Sequence, residues 1–187
     1  DEYVADGTLE HIIASYLQTQ KIYNTHVEMI ADADNLVDGL TVQTLGYHTL
    51  NDGGGAYYKI TDTASLTDYQ ETIDDLYATL IDNNINVKQF GAYGDGTHDD
   101  TTAIQTAFNN FDTIKIPYGT YMTTGIRLNN NNVLISENAT LKIIPNDSTV
   151  YYVVGIMEKT NVSILGTLNI IGDKDTHTGS TGEFGMA

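Results

Sequence analysis

Residues 86–108, "NVKQFGAYGDGTHDDTTAIQTAF", place Asp95, Asp99 and Asp100 around His98. Carboxylates and an imidazole at such short range are the groups that bind calcium or share general acid–base work. The spacing is not the alternating Asp pattern of a calcium loop. The fold offers another use for the same residues. Gly91, Gly94 and Gly96 mark a bend between a predicted strand, "NVKQF", and a helix. Asp99 or Asp100 then sits where a carboxylate accepts the free N–H groups of the first helical turn. An aspartate committed to a helix end is unavailable as a catalytic acid or base, so the cluster reads as punctuation.

Other candidates are weaker. Asp173, Asp175, His177 and Glu183 gather near the end of the sequence and read as a solvated loop. His26 and His48 have no acidic or Cys partner at ligand spacing, so core or surface placement is the expectation for both. Gly53-Gly54-Gly55 lacks the Lys-Ser/Thr and the helix start of a phosphate-binding loop. With Asn51-Asp52 these glycines read instead as a hairpin turn with a close backbone approach. No residue is assigned a catalytic, cofactor or metal role, and no cofactor is expected.

Composition narrows the partners. The 25 acidic residues outnumber eight basic ones, giving a formal net charge of −17, and Arg127 is the single arginine. With no basic stripe to displace phosphate counterions, nucleic acid is excluded as a partner, and an anionic membrane surface is disfavoured. No apolar run approaches the ~20 residues of a membrane span. The sequence has no cysteine, hence no disulfide or thiolate site. It begins Asp1-Glu2-Tyr3 without a signal peptide or an initiator Met, which suggests a trimmed or partly represented chain.

These residues must be positioned by three kinds of element. Leu9, Ile12, Ile13, Tyr16 and Leu17 recur at helical spacing, and a second helical pattern runs through "HVEMIADADNLV" on Val27, Ile30, Ala33 and Val37. From residue 41 the period changes to strands, "TVQTLGY" and "AYYKI", in which one tyrosine of Tyr57-Tyr58 faces the core; residues 69–82 return to helical spacing through Ile73, Leu76, Tyr77 and Leu80. Past residue 112, short apolar runs alternate with Asn, Gly, Asp and Thr: "TIKIP", "GIRL", "NVLI", "ATLKII", "YVVGIM", "NVSIL", "TLNII". Residues 131–144 align with 160–171, offset by about 29 positions at the start and about 27 at the end. A repeat of this length built from short strands is the mark of a solenoid, with Asn and Gly at its corners. "NNNN" at 129–132 reads as such a corner or an asparagine ladder. Ala103, Ile104, Ala107 and Phe108 give the intervening helix one apolar face, suited to closing the solenoid's open end.

"FGAYGDGTHDDTTAIQ" followed by "TIKIPYGTYMTTGIRL" resembles the start of the pectate-lyase-like right-handed β-helix domains of bacteriophage tailspikes and neck appendage proteins. The upstream "VQTLGYHTLNDGGGAYYKI" is similar to a segment placed before such domains, so the resemblance spans residues 41–171. It implies a mainly β chain, the start of a single-stranded parallel β-helix preceded by a small α+β virion-anchoring region with N-terminal helices. The expected division is an attachment and trimerisation segment at 1–40, a connector at 41–85, and a capping helix with the first coils at 86–187. It further implies a homotrimer on the virion, held by other tail or collar proteins, with host cell-surface polysaccharide as the partner of a distal region.

Enzymes of that family place paired carboxylates several coils further along than these first coils reach, so the 187 residues are expected to be the front piece of a longer polypeptide. Alternatives are a purely structural collar or tail adaptor and a free secreted polysaccharide lyase or hydrolase. In the leading reading Asp173, Asp175, His177 and Glu183 have a glycan groove as their alternative to a solvated loop. The thirteen tyrosines, Tyr151-Tyr152 among them, are candidates to stack on sugar rings.

Overall fold

The computed structural model describes residues 20–147, 152–173 and 175–177. The helix predicted at 8–17 lies outside them, as do Tyr151 and Glu183. The chain separates into two compact units, one running up to Asp82 and one from Asn83 onward, with Asp52–Gly54 belonging to the second.

The first unit is a five-stranded sheet in the order β1-β2-β3-β5-β4. β1 (Gln20–Tyr23) runs parallel to β2 (Thr41–Thr44), while β3 (Ala56–Thr61), β5 (Leu76–Leu80) and β4 (Gln70–Ile73) follow antiparallel. The β1–β2 crossover carries α1 (His26–Ala31) and a 3-10 turn, Ala33–Asn35. α1 starts on a reciprocal cap: Glu28 N–H donates to Thr25 Oγ1 at 3.2 Å and Asn24 N–H to Glu28 Oε2 at 2.9 Å. Helical structure here is shorter than its pattern predicts, and it buries a different face. His26, Met29 and Leu36 turn inward, whereas Val27 and Val37 are exposed. Alternation in the strands is kept: Tyr58 is buried and Tyr57 is partly exposed.

The helix expected at 69–82 is a hairpin. Ile73 pairs with Leu76 across a two-residue turn, in which Asp74 takes φ 51°. Ile73, Leu76, Tyr77 and Leu80 fit a 3.6-residue period and a two-stranded arrangement equally well. The arbiter is β3, whose second edge is paired by β5 from Tyr58↔Leu80 to Thr61↔Tyr77. Those ladder bonds satisfy backbone groups that a helix would leave bare, and Ile73, Ala78 and Leu80 join the core.

The second unit is a solenoid of parallel strands. Its entry, Val87–Phe90, is a 3-10 turn and not the predicted strand, because Asn86 Oδ1 accepts from Lys88 N–H at 2.8 Å while Gln89 Oε1 accepts from Asn86 N–H at 2.9 Å. Gly91 ends the turn at φ 93°. Beyond it come β6 (Asp95–Asp99), α2 (Thr101–Asn110), β7 (Thr113–Ile116), β8 (Thr120–Thr123), β9 (Ile126–Arg127), β10 (Val133–Ile143), β11 (Val154–Gly155) and β12 (Ser163–Ile171).

Three faces result. β7, the first half of β10 and the first half of β12 stack on one, and β6, β8 and the second halves of β10 and β12 on another; β9 and β11 form the third. Side chains stack in columns along the interior: Ile114 pairs with Leu134 and Leu134 with Ile164, while Tyr121 pairs with Leu141 and Leu141 with Ile170. Each buried aliphatic in such a column contributes about 1.5–3 kcal/mol. The observed register pairs Val133 with Ser163, one residue beyond the sequence alignment, and shifts between Glu137 and Ala139 at a bulge where Asn138 has φ 61°. Gly166 lies against that corner, where an added Cβ would fall 2.1 Å from Ser136 O, so only glycine fits at its φ of +85°.

α2 buries the apolar face expected of it, on Ala103, Ile104, Ala107 and Phe108. It also occupies the place of a strand. Gln105 Oε1 accepts from Arg127 N–H at 2.8 Å and Gln105 Nε2 donates to Arg127 O at 2.9 Å, so one side-chain amide completes the free edge of β9 as a neighbouring strand would.

Candidate functional site

The aspartates of the 93–101 turn do not converge. Asp95 Oδ1 accepts from the N–H groups of Thr97 at 2.9 Å and His98 at 3.1 Å, and its other oxygen lies 2.7 Å from His98 Nδ1. Backbone donation from Thr97 and His98, with the His98 ring contact, holds this carboxyl well below the usual range. The His98 ring stacks on Tyr93 with centroids 3.9 Å apart. Asp99 Oδ1 accepts from Thr101 N–H at 2.9 Å. Asp100 heads α2 by position, but its carboxylate turns the other way. It is 1% exposed and accepts from Tyr93 N–H at 2.6 Å and Gly94 N–H at 3.2 Å. Of the two acids expected to meet the first helical turn, Asp99 therefore does so, and Asp100 is instead a staple that ties the glycine bend to the helix start. Burial pushes the Asp100 carboxyl above its ordinary value against the pull of those two amides. Each acid is engaged with a different part of its own turn, and no group of three or more metal-ligating side chains forms among the described residues.

The second cluster departs from its expectation. Asp173 is buried, not solvated: its Oδ2 accepts from Asn146 N–H at 3.1 Å and lies 3.2 Å from His177 Nδ1. It ties two coil corners together. Asp175 is exposed. His26 is brought within 2.7 Å of an acid distant in sequence, between Nε2 and Glu71 Oε2, and stacks on Tyr47 at 4.5 Å. The corner at 129–132 is a ladder as expected, with Asn161 Nδ2 donating to Asn131 Oδ1 at 3.1 Å and Asn132 Oδ1 accepting from Asn129 N–H at 2.6 Å.

A concavity lies on the third face. A cleft of about 460 Å³ is lined by Arg127, Asn129, Tyr152, Met157, Glu158 and Lys159 among others. Ile126 and Val154 point inward and are fully buried, so their neighbours on the ladder, Arg127 and Gly155, face outward. The Arg127 guanidinium lies 5.3 Å from the Tyr152 ring centroid, and its Nε donates to the Tyr152 hydroxyl. Gly155 makes room for that ring, since a Cβ there would stand 2.8 Å from Tyr152 Cε2. A shallower hollow of about 200 Å³ runs past Gly94, Asp95 and the exposed Tyr118. The cleft brings a cation, an aromatic ring and an amide side chain together beside the β9–β11 strand pair. The sequence carried a trace of it in the single arginine at an outward position of "GIRL", but Tyr152 meets Arg127 only through the stacking of coils.

Residues 84–176 match the family model described as "Rhamnogalacturonase A/epimerase, pectate lyase-like". The chain is 37% identical over 78 residues to the pre-neck appendage proteins of Bacillus phages PZA and phi29, an alignment covering 37% of this chain and 9% of theirs. It therefore matches only a small part of those relatives. In structure it is similar to the enzymatically active domain of bacteriophage CBA120 tailspike protein 2, with a TM-score of 0.61 at 16% identity, covering 97% of this chain and 28% of that one. It is also similar to the Acinetobacter phage vB_ApiP_P1 tailspike, with a TM-score of 0.56 at 17% identity, covering 89% and 31%. At these identities the structural likeness speaks for the fold, and the appendage proteins supply the sequence relationship. The parallel solenoid, the family match across residues 84–176 and the appendage relatives agree: the chain carries a pectate-lyase-like domain of parallel β-helix fold and is similar in sequence to phage pre-neck appendage proteins, relatives that indicate a place at the virion tail or neck.

Proposed function

We propose that this chain is the virion-side portion of a homotrimeric appendage whose right-handed β-helix meets host-surface polysaccharide during adsorption. In this reading residues 1–40 serve attachment and trimerisation, 41–85 form a connector, and 86–187 begin the shaft. Other tail or collar proteins hold the first segment. Glycan recognition or depolymerisation belongs to the shaft and its distal continuation. The observation that carries the proposal is α2. A helix that caps the first coil and substitutes Gln105 for a strand fixes the start of a solenoid meant to extend away from that end.

The test is competition for adsorption. Purified full-length protein should slow adsorption of the parent particle to its host cells, and host cells stripped of surface polysaccharide should no longer retain the protein. Undiminished adsorption at saturating protein, with equal retention by stripped cells, refutes the proposal.

A further inference from the structure

Two cations, Arg127 and Lys159, line the third-face cleft of a chain with 25 acidic residues. Neither forms an ion pair among the described residues, unlike Lys21, which meets Asp32 at 3.0 Å, and Lys115, which meets Glu137 at 3.7 Å; Lys59, Lys88 and Lys142 are likewise without one, so it is the shared cleft that sets these two apart. Arg127 is held by other means. Its backbone N–H and C=O are both held by Gln105, its guanidinium lies 5.3 Å from the Tyr152 ring centroid, and its Nε donates to the tyrosine hydroxyl. That leaves the Nη donors, in a fixed orientation, for a ligand. A guanidinium fork matches the planar oxygens of a carboxylate or phosphate, and a preorganised one loses little entropy on binding. Met157, 66% exposed, and the Tyr152 ring supply apolar surface for a sugar face. Glu158 completes the lining; it repels a second anionic group and accepts from hydroxyls.

We propose that the Arg127–Tyr152–Lys159 cleft is a subsite for a sugar residue carrying a single oxyanion, either a carboxylate or a phosphate. This inference rests on the glycan reading above and names the charge class that the first coils select. The cleft supplies a local cationic point on a polyanionic surface, so it recognises isolated charges along a chain and disfavours densely charged polymers.

The experiment is titration calorimetry of the full-length protein with three probes: a hexasaccharide carrying one uronate among neutral sugars, a mannan hexamer carrying one phosphate, and uncharged maltohexaose. Arg127→Gln and Lys159→Gln each remove a charge from an exposed position without touching the backbone clamp. The expected result is that one charged hexamer binds at least tenfold more tightly than maltohexaose, weakens with added salt, and loses about tenfold or more in each variant. Whether the carboxylated or the phosphorylated probe leads identifies the oxyanion. Equal binding of charged and uncharged probes, unchanged affinity in Arg127→Gln, or no binding of either charged probe overturns the subsite. A parallel titration with polysaccharide extracted from the host separates the two levels. Binding of the extract without dependence on Arg127 removes the subsite and keeps the glycan reading, whereas no binding of the extract removes both.

Discussion

Replacing Asp100 by alanine should undo the bend that starts the solenoid. The carboxylate is 1% exposed and accepts two backbone N–H groups, from Tyr93 at 2.6 Å and Gly94 at 3.2 Å. A hydrogen bond to a charged group contributes about 1.5–3 kcal/mol, and a buried donor left unpaired costs about as much. Burial of the carboxylate, whose effect is visible in its raised pKa, offsets part of the gain. The net loss expected for Asp100→Ala is therefore about 2–4 kcal/mol, and about half of that for Asp100→Asn, which keeps one acceptor oxygen. Urea unfolding followed by far-UV circular dichroism reads the loss as a lower midpoint at unchanged slope. Amide exchange adds a local readout: protection at Tyr93 and Gly94 should fall, and so should that of Thr120, whose N–H donates to Gly94 O at 2.9 Å. If Asp100→Ala unfolds within 0.5 kcal/mol of the parent (about the spread of neutral surface changes), and Tyr93 and Gly94 keep their protection, the staple argument is wrong.

Three further outcomes follow from the same contacts. Gln105→Leu removes both bonds to Arg127 and should lower the urea midpoint by about 1–2 kcal/mol while raising amide exchange at Arg127; unchanged exchange there denies the strand-substitute role. Gly166→Ala puts a Cβ 2.1 Å from Ser136 O at φ +85°, so a loss of at least about 2 kcal/mol is expected, and a neutral substitution would show that the corner is misplaced. Glu71 is raised by burial, but the His26 ring and the Tyr69 hydroxyl outweigh that and hold its carboxyl below the ordinary value. Its contribution is therefore present above about pH 4.3 and lost as the pH falls through the lowered folded value. The midpoint difference between parent and Glu71→Gln should accordingly shrink on going from pH 7 into that acid window, and a difference that stays constant or grows contradicts the pairing.

Much of this fold is legible in local sequence because a solenoid repeats local rules. "TIKIP", "NVLI" and "ATLKII" alternate inward and outward residues, and their columns, such as Ile114 over Leu134, appear in the structure. The glycine bend and the apolar face of α2 were equally plain. What sequence left undecided depends on partners far along the chain. Residues 69–82 carry a pattern that serves helix or hairpin, and the edge of β3 decided. Asp173 looks like a loop acid until Asn146 and His177 close over it. The acids at the helix start are legible as Asp99 or Asp100, and Asp99 does accept a first-turn N–H, but the direction of the Asp100 carboxylate depends on a bend seven residues upstream. The Arg127 cleft was invisible for the same reason, since Tyr152 reaches it only after a full coil.

The place that the appendage relatives indicate for this chain, on a phage particle, can be measured directly. Antibody raised against the folded solenoid and coupled to gold, imaged on intact virions, should decorate the tail or neck. Particles left bare, with the antigen recovered only from particle-free fluid, would contradict the account and point instead to a secreted polysaccharide-active protein.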